Sequence, residues 1–173
     1  MQKIAKFEKV SFKQFSDGYS DSFASSNISE AEMKKIYDEI KLPQRATVGS
    51  AGYDFYSTAD FSLSPGETIK IPTGIRAKIA DGWVLCLFPR SGLGFKYRLQ
   101  LNNTVGIIDS DYYYSDNEGH IFIKITNDTN EDKTLNISRG DGFTQGIFMP
   151  FGITEDDSAD GVRNGGFGST SAS

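Results

Sequence analysis

Short extended segments separated by turn-forming residues run through the chain from residue 51 onward, and this pattern constrains the fold most. The segments are rich in Val, Ile, Leu, Phe and Thr, and Gly, Pro, Asn or Asp separate them. They are Thr68–Ile71, Gly74–Ile79, Trp83–Phe88, Ile121–Thr126, Thr134–Ile137 and Gln145–Pro150. Strands of this length and spacing predict an all-β sandwich or barrel.

A single helix is predicted near the N-terminus, over Glu30–Glu39. Ser29 can cap this helix, and Glu32 completes the capping box. An apolar stripe at helical spacing would dock it onto the sheets; the members are Met33, Ile36, Tyr37 and Ile40. The polar run Lys13–Ser26 is predicted to be a loop.

Length and charge exclude several classes of protein. At 173 residues and 19.0 kDa the chain fits one domain. A net charge of −5 argues against a nucleic-acid-binding surface, whose affinity rests on basic groups. Cys86 is the only cysteine, so no internal disulfide is expected. The first residues contain no continuous apolar run, so neither a signal peptide nor a membrane span is expected, and the expected location is the cytoplasm.

The segment Asn102–Tyr112, with the sequence NNTVGIIDSDY, is predicted to place two carboxylates and a tyrosine at the tip of a tight apolar hairpin. Such a tip can hold a small planar ligand by its backbone and offer it the carboxylate of Asp109. Asp-Ser-Asp after a strand is also ordinary turn chemistry, so the segment alone leaves both interpretations open. Asp111 is expected to point away from Asp109 and to be structural, because neighbours in an extended chain face opposite sides.

Four further motifs accompany this segment in a fixed order. They are Ala51–Tyr56 (AGYDFY), Pro89–Gly94 (PRSGLG), Asp141–Phe148 (DGFTQGIF) and Gly165–Thr170 (GGFGST). With all five motifs in sequence, the chain resembles the family of trimeric deoxyuridine triphosphatases, or dUTPases. Residues before about Leu42 lie largely outside the resemblance.

The resemblance implies an all-β fold, the dUTPase-like β-clip or distorted jelly-roll barrel, with one short inserted helix near the N-terminus. Residues 1–162 would form a single domain, with the helical insert at about 27–41. Residues 163–173 would form a flexible C-terminal arm that closes a neighbouring active site. The implied activity is Mg²⁺-dependent hydrolysis of dUTP to dUMP and pyrophosphate by a cytoplasmic homotrimer, with neither nucleic acid nor membrane as a partner.

The family's motifs assign roles to individual residues of this chain. Asp109 would be the general base that activates the attacking water. Asp54 and Gln145 would hold Mg²⁺ through water, without a direct protein ligand. The substrate-binding residues would be Arg90, Ser91, Gly92, Asn103, Gly106, Ile107, Ile108, Tyr112, Phe122, Gln145, Arg163, Phe167, Gly168 and Ser169.

These binding residues divide into three groups by what they would contact. The hairpin backbone would read uracil by imitating base pairing, with Asn103 and, on the returning strand, Phe122 beside it. Tyr112 would pack under the sugar and leave no room for a 2′-hydroxyl. Arg90 offers the phosphates a planar cationic fork. In the arm, Phe167 would stack on the base, while its neighbours and Arg163 would contact the phosphates.

Two motifs depart from the family's pattern. Gly142 replaces an arginine that the family carries three residues before the glutamine of the fourth motif. Arg139 is predicted not to substitute for this arginine, because its offset places it on the other face of the strand. Lys96 is another source of positive charge. The segment Tyr113–Glu118 (YYSDNE) replaces a shorter turn. The only histidine, His120, is expected at a surface edge without a functional role.

Two alternative functions remain open. A deoxycytidine triphosphate deaminase shares the fold, but its returning strand carries a glutamate where this chain has Lys124. A nucleotide-sensing regulatory module would account for Gly142 and for the segments Asn27–Ile40 and Tyr113–Glu118. However, a pure binding module does not need Asp109.

Overall fold

The computed structural model describes residues 2–24, 28–161 and 163. The strands are β1 (Ala5–Lys9), β2 (Gln44–Arg45), β3 (Tyr53–Tyr56), β4 (Phe61–Leu63), β5 (Thr68–Pro72), β6 (Ile75–Ile79), β7 (Trp83–Pro89), β8 (Leu99–Leu101), β9 (Gly106–Ile108), β10 (Phe122–Asn127), β11 (Leu135–Ile137) and β12 (Gly142–Pro150). The helices are α1 (Phe12–Ser22), α2 (Glu30–Glu39), α3 (Ser91–Tyr97) and a 3₁₀ helix over Ser110–Tyr114. The all-β class predicted from the sequence is confirmed.

The described strands form four antiparallel sheets around one apolar core. The strand orders are β1-β6, β5-β10-β8, β11-β4 and β2-β3-β12-β7-β9. The core includes Phe55, Ile71, Leu85, Ile123 and Phe143, each fully or almost fully buried. All six predicted strands are present, as β5, β6, β7, β10, β11 and β12. The long pairing of β7 with β12 runs through the middle of the largest sheet and carries the candidate site at one end.

The predicted helix over Glu30–Glu39 is confirmed as α2. The Ser29 hydroxyl accepts a hydrogen bond from the Glu32 N–H at 3.2 Å, as expected of a capping residue. Met33 and Ile36 are buried in a second apolar cluster, where they pack with residues of α1. No helix in the described residues is long and apolar enough to cross a membrane.

The prediction of only one helix is wrong, because Lys13–Ser26 is helical over most of its length. This segment contains α1, in which Phe15, Gly18 and Tyr19 lie on one face and are buried. Burial of two aromatic rings outweighs the low helix propensity of the Ser, Asp and Gly residues between them. The helix α3, which begins inside the PRSGLG motif, was also not predicted.

The predicted hairpin at Asn102–Tyr112 is also wrong. The two strands on either side of the turn belong to different sheets, since β8 pairs with β10 whereas β9 pairs with β7. The turn between them therefore passes from one sheet to the other. Asp109 follows the end of β9 and precedes the 3₁₀ helix, so it lies at a strand end and not at a hairpin tip.

Candidate active site

A polar cleft opens where the end of β7 and helix α3 meet strands β3 and β12. Its volume is about 410 Å³, which suits a small polar ligand. The lining residues are Ala46, Ser50, Gly52, Asp54, Arg90, Ser91, Gly92, Leu93, Gly142 and Gln145. Five of the residues predicted from sequence, drawn from three separate motifs, therefore line one cleft.

Arg90 supplies the positive charge of this cleft. It follows the last residue of β7 and is the N-cap residue of α3. Its Nη1 donates to the carbonyl oxygen of Gly142 at 2.9 Å, and its Nε lies 3.3 Å from Oδ1 of Asp54. The side chain is still 44% exposed, so part of its planar fork faces solvent and can meet an anionic ligand.

Gly142 leaves the space that the Arg90 guanidinium occupies. A Cβ atom at Gly142 would lie 2.7 Å from Arg90 Nη1, so any side chain there would move the guanidinium. Arg139 does not substitute for the missing arginine, since its Nη2 lies 3.3 Å from Oε2 of Glu39 on α2. The Lys96 ammonium lies over the ring of Tyr97, 5.1 Å from its centroid. The cleft is thus organised around Arg90.

Gln145 and Asp54 lie opposite each other on β12 and β3, so their side chains share one face of the sheet. Gln145 Nε2 donates to the carbonyl oxygen of Pro89 at 3.1 Å. Its Oε1 occupies the space beside Gly52, where a Cβ atom would approach it to 2.4 Å. Sequence reasoning missed Gly52, because a single sequence does not show that a residue on another strand fills this space.

The oxygen donors of the cleft fit a magnesium ion that is held through water. Asp54 offers a carboxylate and Gln145 an amide oxygen, both of the hard kind that Mg²⁺ prefers. Within residues 2–24, 28–161 and 163, no three His, Cys, Asp or Glu side chains come together as a metal cluster. The ion would therefore take most of its ligands from water and from a phosphate ligand.

A second polar group surrounds Asp109. Arg163 Nη2 donates to Oδ2 of Asp109 at 2.6 Å, and its Nε donates to Oδ1 of Asp111 at 2.9 Å. Asp111 was expected to point away from Asp109, and this is wrong: the backbone turns into a 3₁₀ helix after Asp109, so one guanidinium reaches both carboxylates. In the described chain Arg163 therefore contacts these two acids.

Tyr112 lies beneath this group and is 2% exposed. Its hydroxyl donates to the carbonyl oxygen of His120 at 2.7 Å and accepts from Nδ2 of Asn117 at 2.8 Å. Burial raises the pKa of the Tyr112 hydroxyl above its usual value. The guanidinium of Arg163 lies 5.8 Å from the centroid of the tyrosine ring. The ring is thus held in one orientation next to Asp109.

Strand β9 offers a backbone edge beside Asp109. Gly106, Ile107 and Ile108 pair with β7 on one side, and β9 is the last strand of its sheet in the described chain. The peptide groups on the other side of an edge strand are free to bind a partner. Gly106 is buried against Leu87, and Asn103 is exposed in the preceding turn. Three of the predicted base-reading residues, Gly106, Ile107 and Ile108, therefore lie along one strand edge, with Asn103 in the turn before it, whereas Phe122 lies on β10 in another sheet.

His120 is fully buried, so its predicted position at a surface edge is wrong. Its Nε2 accepts from the Gly74 N–H at 2.9 Å, and its ring packs on half-buried Phe122 with centroids 4.2 Å apart. Burial lowers the pKa of His120 to about 4, so the imidazole is neutral near pH 7. His120 supports the start of β10, where Phe122 lies.

The two polar groups are well separated within one chain. Ile108 of β9 lies opposite Leu85 of β7, while Gln145 of β12 lies opposite Phe88. The two residues are therefore offset by three residues along β7 and by two strand spacings across the sheet. This offset corresponds to a distance of about 14 Å between the Cα atoms of Ile108 and Gln145. Asp109 is one residue further away. The predicted arm residues Phe167, Gly168 and Ser169 lie outside the described residues.

Comparison with known proteins connects this geometry to a family. A sequence profile of the dUTPase family matches residues 38–171. The deoxyuridine 5′-triphosphate nucleotidohydrolase of Lactococcus lactis subsp. lactis is 44% identical over 136 residues, which are 77% of this chain and 89% of that protein. The crystal structure of the dUTPase from Streptococcus mutans gives a TM-score of 0.60 at 43% identity and covers 68% of this chain and 91% of that one. A mutant dUTPase of phage phi11 of S. aureus, whose structure shows the coordination of a structural Mg(II) ion, gives a TM-score of 0.56 at 25% identity and covers 70% of this chain and 90% of that one.

Fold and cleft together define a jelly-roll-like β-clip protein with a cationic, oxygen-rich site. The matched region spans all the strands that form the candidate site. The chain belongs to the dUTPase family. The resemblance stated from the five sequence motifs is thereby confirmed.

Proposed function

We propose that this protein hydrolyses dUTP to dUMP and pyrophosphate in the presence of Mg²⁺. The observation that carries the proposal is the meeting of Asp54, Arg90 and Gln145 in one cleft of a dUTPase-family chain. This activity would keep uracil out of DNA and supply dUMP for thymidylate synthesis. We propose the cytoplasm as its location.

The cleft around Arg90 would hold the phosphates. The guanidinium can donate to two phosphate oxygens at once, and the Ser91 hydroxyl and the Gly92 N–H lie at the start of α3 beside it. Mg²⁺, when bound, supplies positive charge that balances the phosphate oxygens. Asp54 and Gln145 would orient the waters of that ion.

Asp109 would act as the general base. It accepts a proton from a water molecule whose oxygen forms a bond to the α-phosphorus. The bond from that phosphorus to the oxygen bridging the β-phosphorus breaks, and pyrophosphate leaves with the bridging oxygen. The carboxylate is 46% exposed, which lets a water molecule reach it. Arg163 would leave Asp109 for the phosphates when the substrate binds.

Recognition of base and sugar would use the β9 edge and Tyr112. Peptide groups of Gly106–Ile108 can present donors and acceptors to uracil in the pattern of a base pair, with Asn103 and Phe122 beside them. The opposite donor pattern of cytosine would leave buried polar groups unpaired, which costs much more than a missing methyl group. Tyr112 would pack under the deoxyribose.

We propose a homotrimer whose sites form between chains. The Cα atoms of Ile108 and Gln145 lie about 14 Å apart. This distance is too long for Asp109 to reach a phosphate held by Arg90 in the same chain. Docking β9 of one chain against the cleft of another would remove this gap. In a closed ring of three copies every chain makes this contact twice, so no interface is left unpaired. Residues 163–173 would then close a neighbouring site.

The test is pyrophosphate release from dUTP, dCTP, dTTP and UTP by the purified protein with Mg²⁺. We expect release from dUTP to be at least 10²-fold faster than from dCTP, whose hydrogen bonds would be mismatched at a buried base. Release from UTP and dTTP should also be slower, because the 2′-hydroxyl of UTP would meet Tyr112 and the extra methyl group of dTTP would meet the strand edge. Ammonia release from dCTP would identify a deaminase instead. Binding of nucleotide without any product would identify a sensing module.

A further inference from the structure

The N-terminal segment, residues 2–24 and 28–41, contacts the part of the chain that carries Tyr112. Most of this segment lies outside the match to the dUTPase family, which begins at residue 38. The part that it contacts is the Tyr112 loop, residues 109–120, which includes the 3₁₀ helix. Two separate sets of polar contacts join the segment and the loop.

The first set joins Glu118 to Ser11. The Glu118 carboxylate accepts from the Ser11 N–H at 2.7 Å and from the Ser11 hydroxyl at 2.6 Å. The same hydroxyl accepts from the Gln14 N–H at 3.2 Å, so the residue that caps α1 also binds the loop. Glu118 has a φ of 57°, a left-handed conformation that an L residue seldom adopts. The contact therefore fixes the loop at a point where its backbone turns sharply.

The second set joins Tyr113 to β1. The Tyr113 hydroxyl donates to Oε2 of Glu8 at 2.6 Å. Arg76 lies 3.4 Å from the same carboxylate oxygen and stacks over the Tyr113 ring, 4.4 Å from its centroid. Hydrogen bonds from Lys6 and Tyr113 lower the pKa of Glu8 to about 2, so its carboxylate stays charged at neutral pH. Tyr113, the neighbour of Tyr112, is thus held by residues outside the loop.

Within the loop, hydrogen bonds and close backbone packing connect Tyr112 to its neighbours. Asn117, next to Glu118, donates to the Tyr112 hydroxyl at 2.8 Å. The Tyr112 N–H donates to the carbonyl oxygen of Asp109 at 3.3 Å. At Gly119 the chain passes so close that a Cβ atom would lie 2.7 Å from the Tyr112 carbonyl oxygen. A loop packed this tightly transmits a displacement at Glu118 to Tyr112.

The N-terminal segment also lies behind Phe122. A Cβ atom at Gly18 of α1 would lie 2.8 Å from the Phe122 ring and 3.0 Å from the ring of His120. Only a glycine allows α1 to approach so closely. One segment therefore touches both Phe122 and the Tyr112 loop.

Docking of the segment does not depend on the polar contacts. The aromatic and aliphatic side chains of Phe15, Tyr19, Met33 and Ile36 are almost fully buried and supply the apolar area that stabilises it. The hydrogen bonds of Glu118 lie at exposed positions, where such contacts add little to stability. Their effect is on the position of the loop.

We propose that Glu118 and Tyr113 are positioning residues for nucleotide recognition, through which the N-terminal segment holds Tyr112 and thereby sets the discrimination between deoxyribose and ribose. This proposal rests on the proposed function, because it concerns the sugar side of the same site. It extends that function to a segment that the family profile does not include.

The experiment compares Glu118→Ala, Tyr113→Phe and the double variant with Glu39→Gln as a matched control. Glu39→Gln also removes a carboxylate contact of the N-terminal segment, but that contact is with Arg139 in the turn between β11 and β12 and not with the Tyr112 loop. The measured quantity is the ratio of kcat/KM for dUTP to kcat/KM for UTP. A second measurement is hydrogen exchange of the backbone amides of residues 110–120.

We expect the dUTP-to-UTP ratio to fall about three- to tenfold in Glu118→Ala and further in the double variant. Glu118→Gln, which keeps an oxygen acceptor for Ser11, should restore part of the ratio, and Glu39→Gln should leave it within about twofold of wild type. Melting temperatures should shift no more than in the control. An unchanged ratio in an active double variant would overturn the proposal.

Hydrogen exchange separates this proposal from the proposed function. If the wild-type protein releases no pyrophosphate from dUTP, the proposed function fails. The positioning of the loop is then decided by exchange alone: faster exchange at 110–120 in Glu118→Ala than in Glu39→Gln supports it. Equal exchange in the two variants overturns it.

Discussion

Arg163 and Asp109 are joined by a charge-assisted hydrogen bond of 2.6 Å between Nη2 and Oδ2, although 54 residues separate them in sequence. The Arg163 side chain is 17% exposed and its guanidinium also binds Asp111, so both carboxylates have a fixed place. This contact connects the start of the proposed arm to the proposed general base. It makes Asp109 the first residue to test.

Asp109→Asn should lower turnover of dUTP by at least about 10²-fold, the lower range for losing a positioned base, while binding changes less than about tenfold. The amide keeps the shape of the side chain but does not accept the proton. Single-turnover hydrolysis and equilibrium binding would measure the two effects. Asp128→Asn, which alters a carboxylate paired with Arg98, is the control. Near-normal hydrolysis by Asp109→Asn would rule out the assignment.

Gly142→Ala should weaken dUTP binding. The added methyl group would lie 2.7 Å from Arg90 Nη1 and move the guanidinium from its place over the cleft. A displaced charge-assisted hydrogen bond would raise KM about tenfold, with a smaller change in kcat. Gly152→Ala is the control, since its Cβ atom would meet no neighbour within 4 Å. A KM equal to that of the control would mean that Arg90 does not hold substrate in the observed position.

The sequence predicted six of the twelve described strands, because turn-forming residues mark the ends of those six locally. It also placed Asp54, Arg90 and Gln145 in one site, since three motifs carried them. The sequence did not reveal α1, whose stability comes from burying Phe15 and Tyr19 against distant parts of the chain. Nor did it reveal that β8 and β9 enter different sheets, because strand pairing depends on partners far away in sequence.

Stability should fall as the pH is lowered from 6.5 towards 4. Burial lowers the pKa of His120 from 6.5 to about 4, so the folded protein keeps this residue neutral where the unfolded chain binds a proton. Its contribution to stability is therefore present above pH 6.5 and lost as the pH falls through this window. The difference between the two pKa values corresponds to a loss of about 3 kcal/mol in the free energy of unfolding once the pH is below both values.

Urea unfolding of wild type and His120→Asn between pH 4 and 7 would measure this effect. The variant should be less stable at pH 7, since it loses packing against Phe122, but its stability should depend less on pH. Parallel curves for the two proteins would contradict a buried neutral histidine. Carboxylates that titrate in the same range affect both proteins equally and cancel in the comparison.

A chain that ends at residue 162 should lose most dUTP hydrolysis but keep its melting temperature nearly unchanged. The removed residues include three glycines and three serines and too few apolar groups to build core. The described contacts of Arg163 are with partly exposed carboxylates, which add little stability. Phe167→Ala alone should reproduce part of the defect, because stacking of a base on an aromatic ring is worth about 1–3 kcal/mol. Full activity of the shortened protein would show that the arm is dispensable.

The open edge of β9 has a consequence for solubility. In the described chain no strand pairs with the outer side of β9, beside half-exposed Ile107. Such an edge is a template on which a strand from another molecule can add, and this addition is the first step of edge-to-edge aggregation. At three residues the strand is short, which limits how far a wrong partner can extend. A ligand or a correctly placed subunit that covers this edge would therefore also protect the protein in concentrated solution.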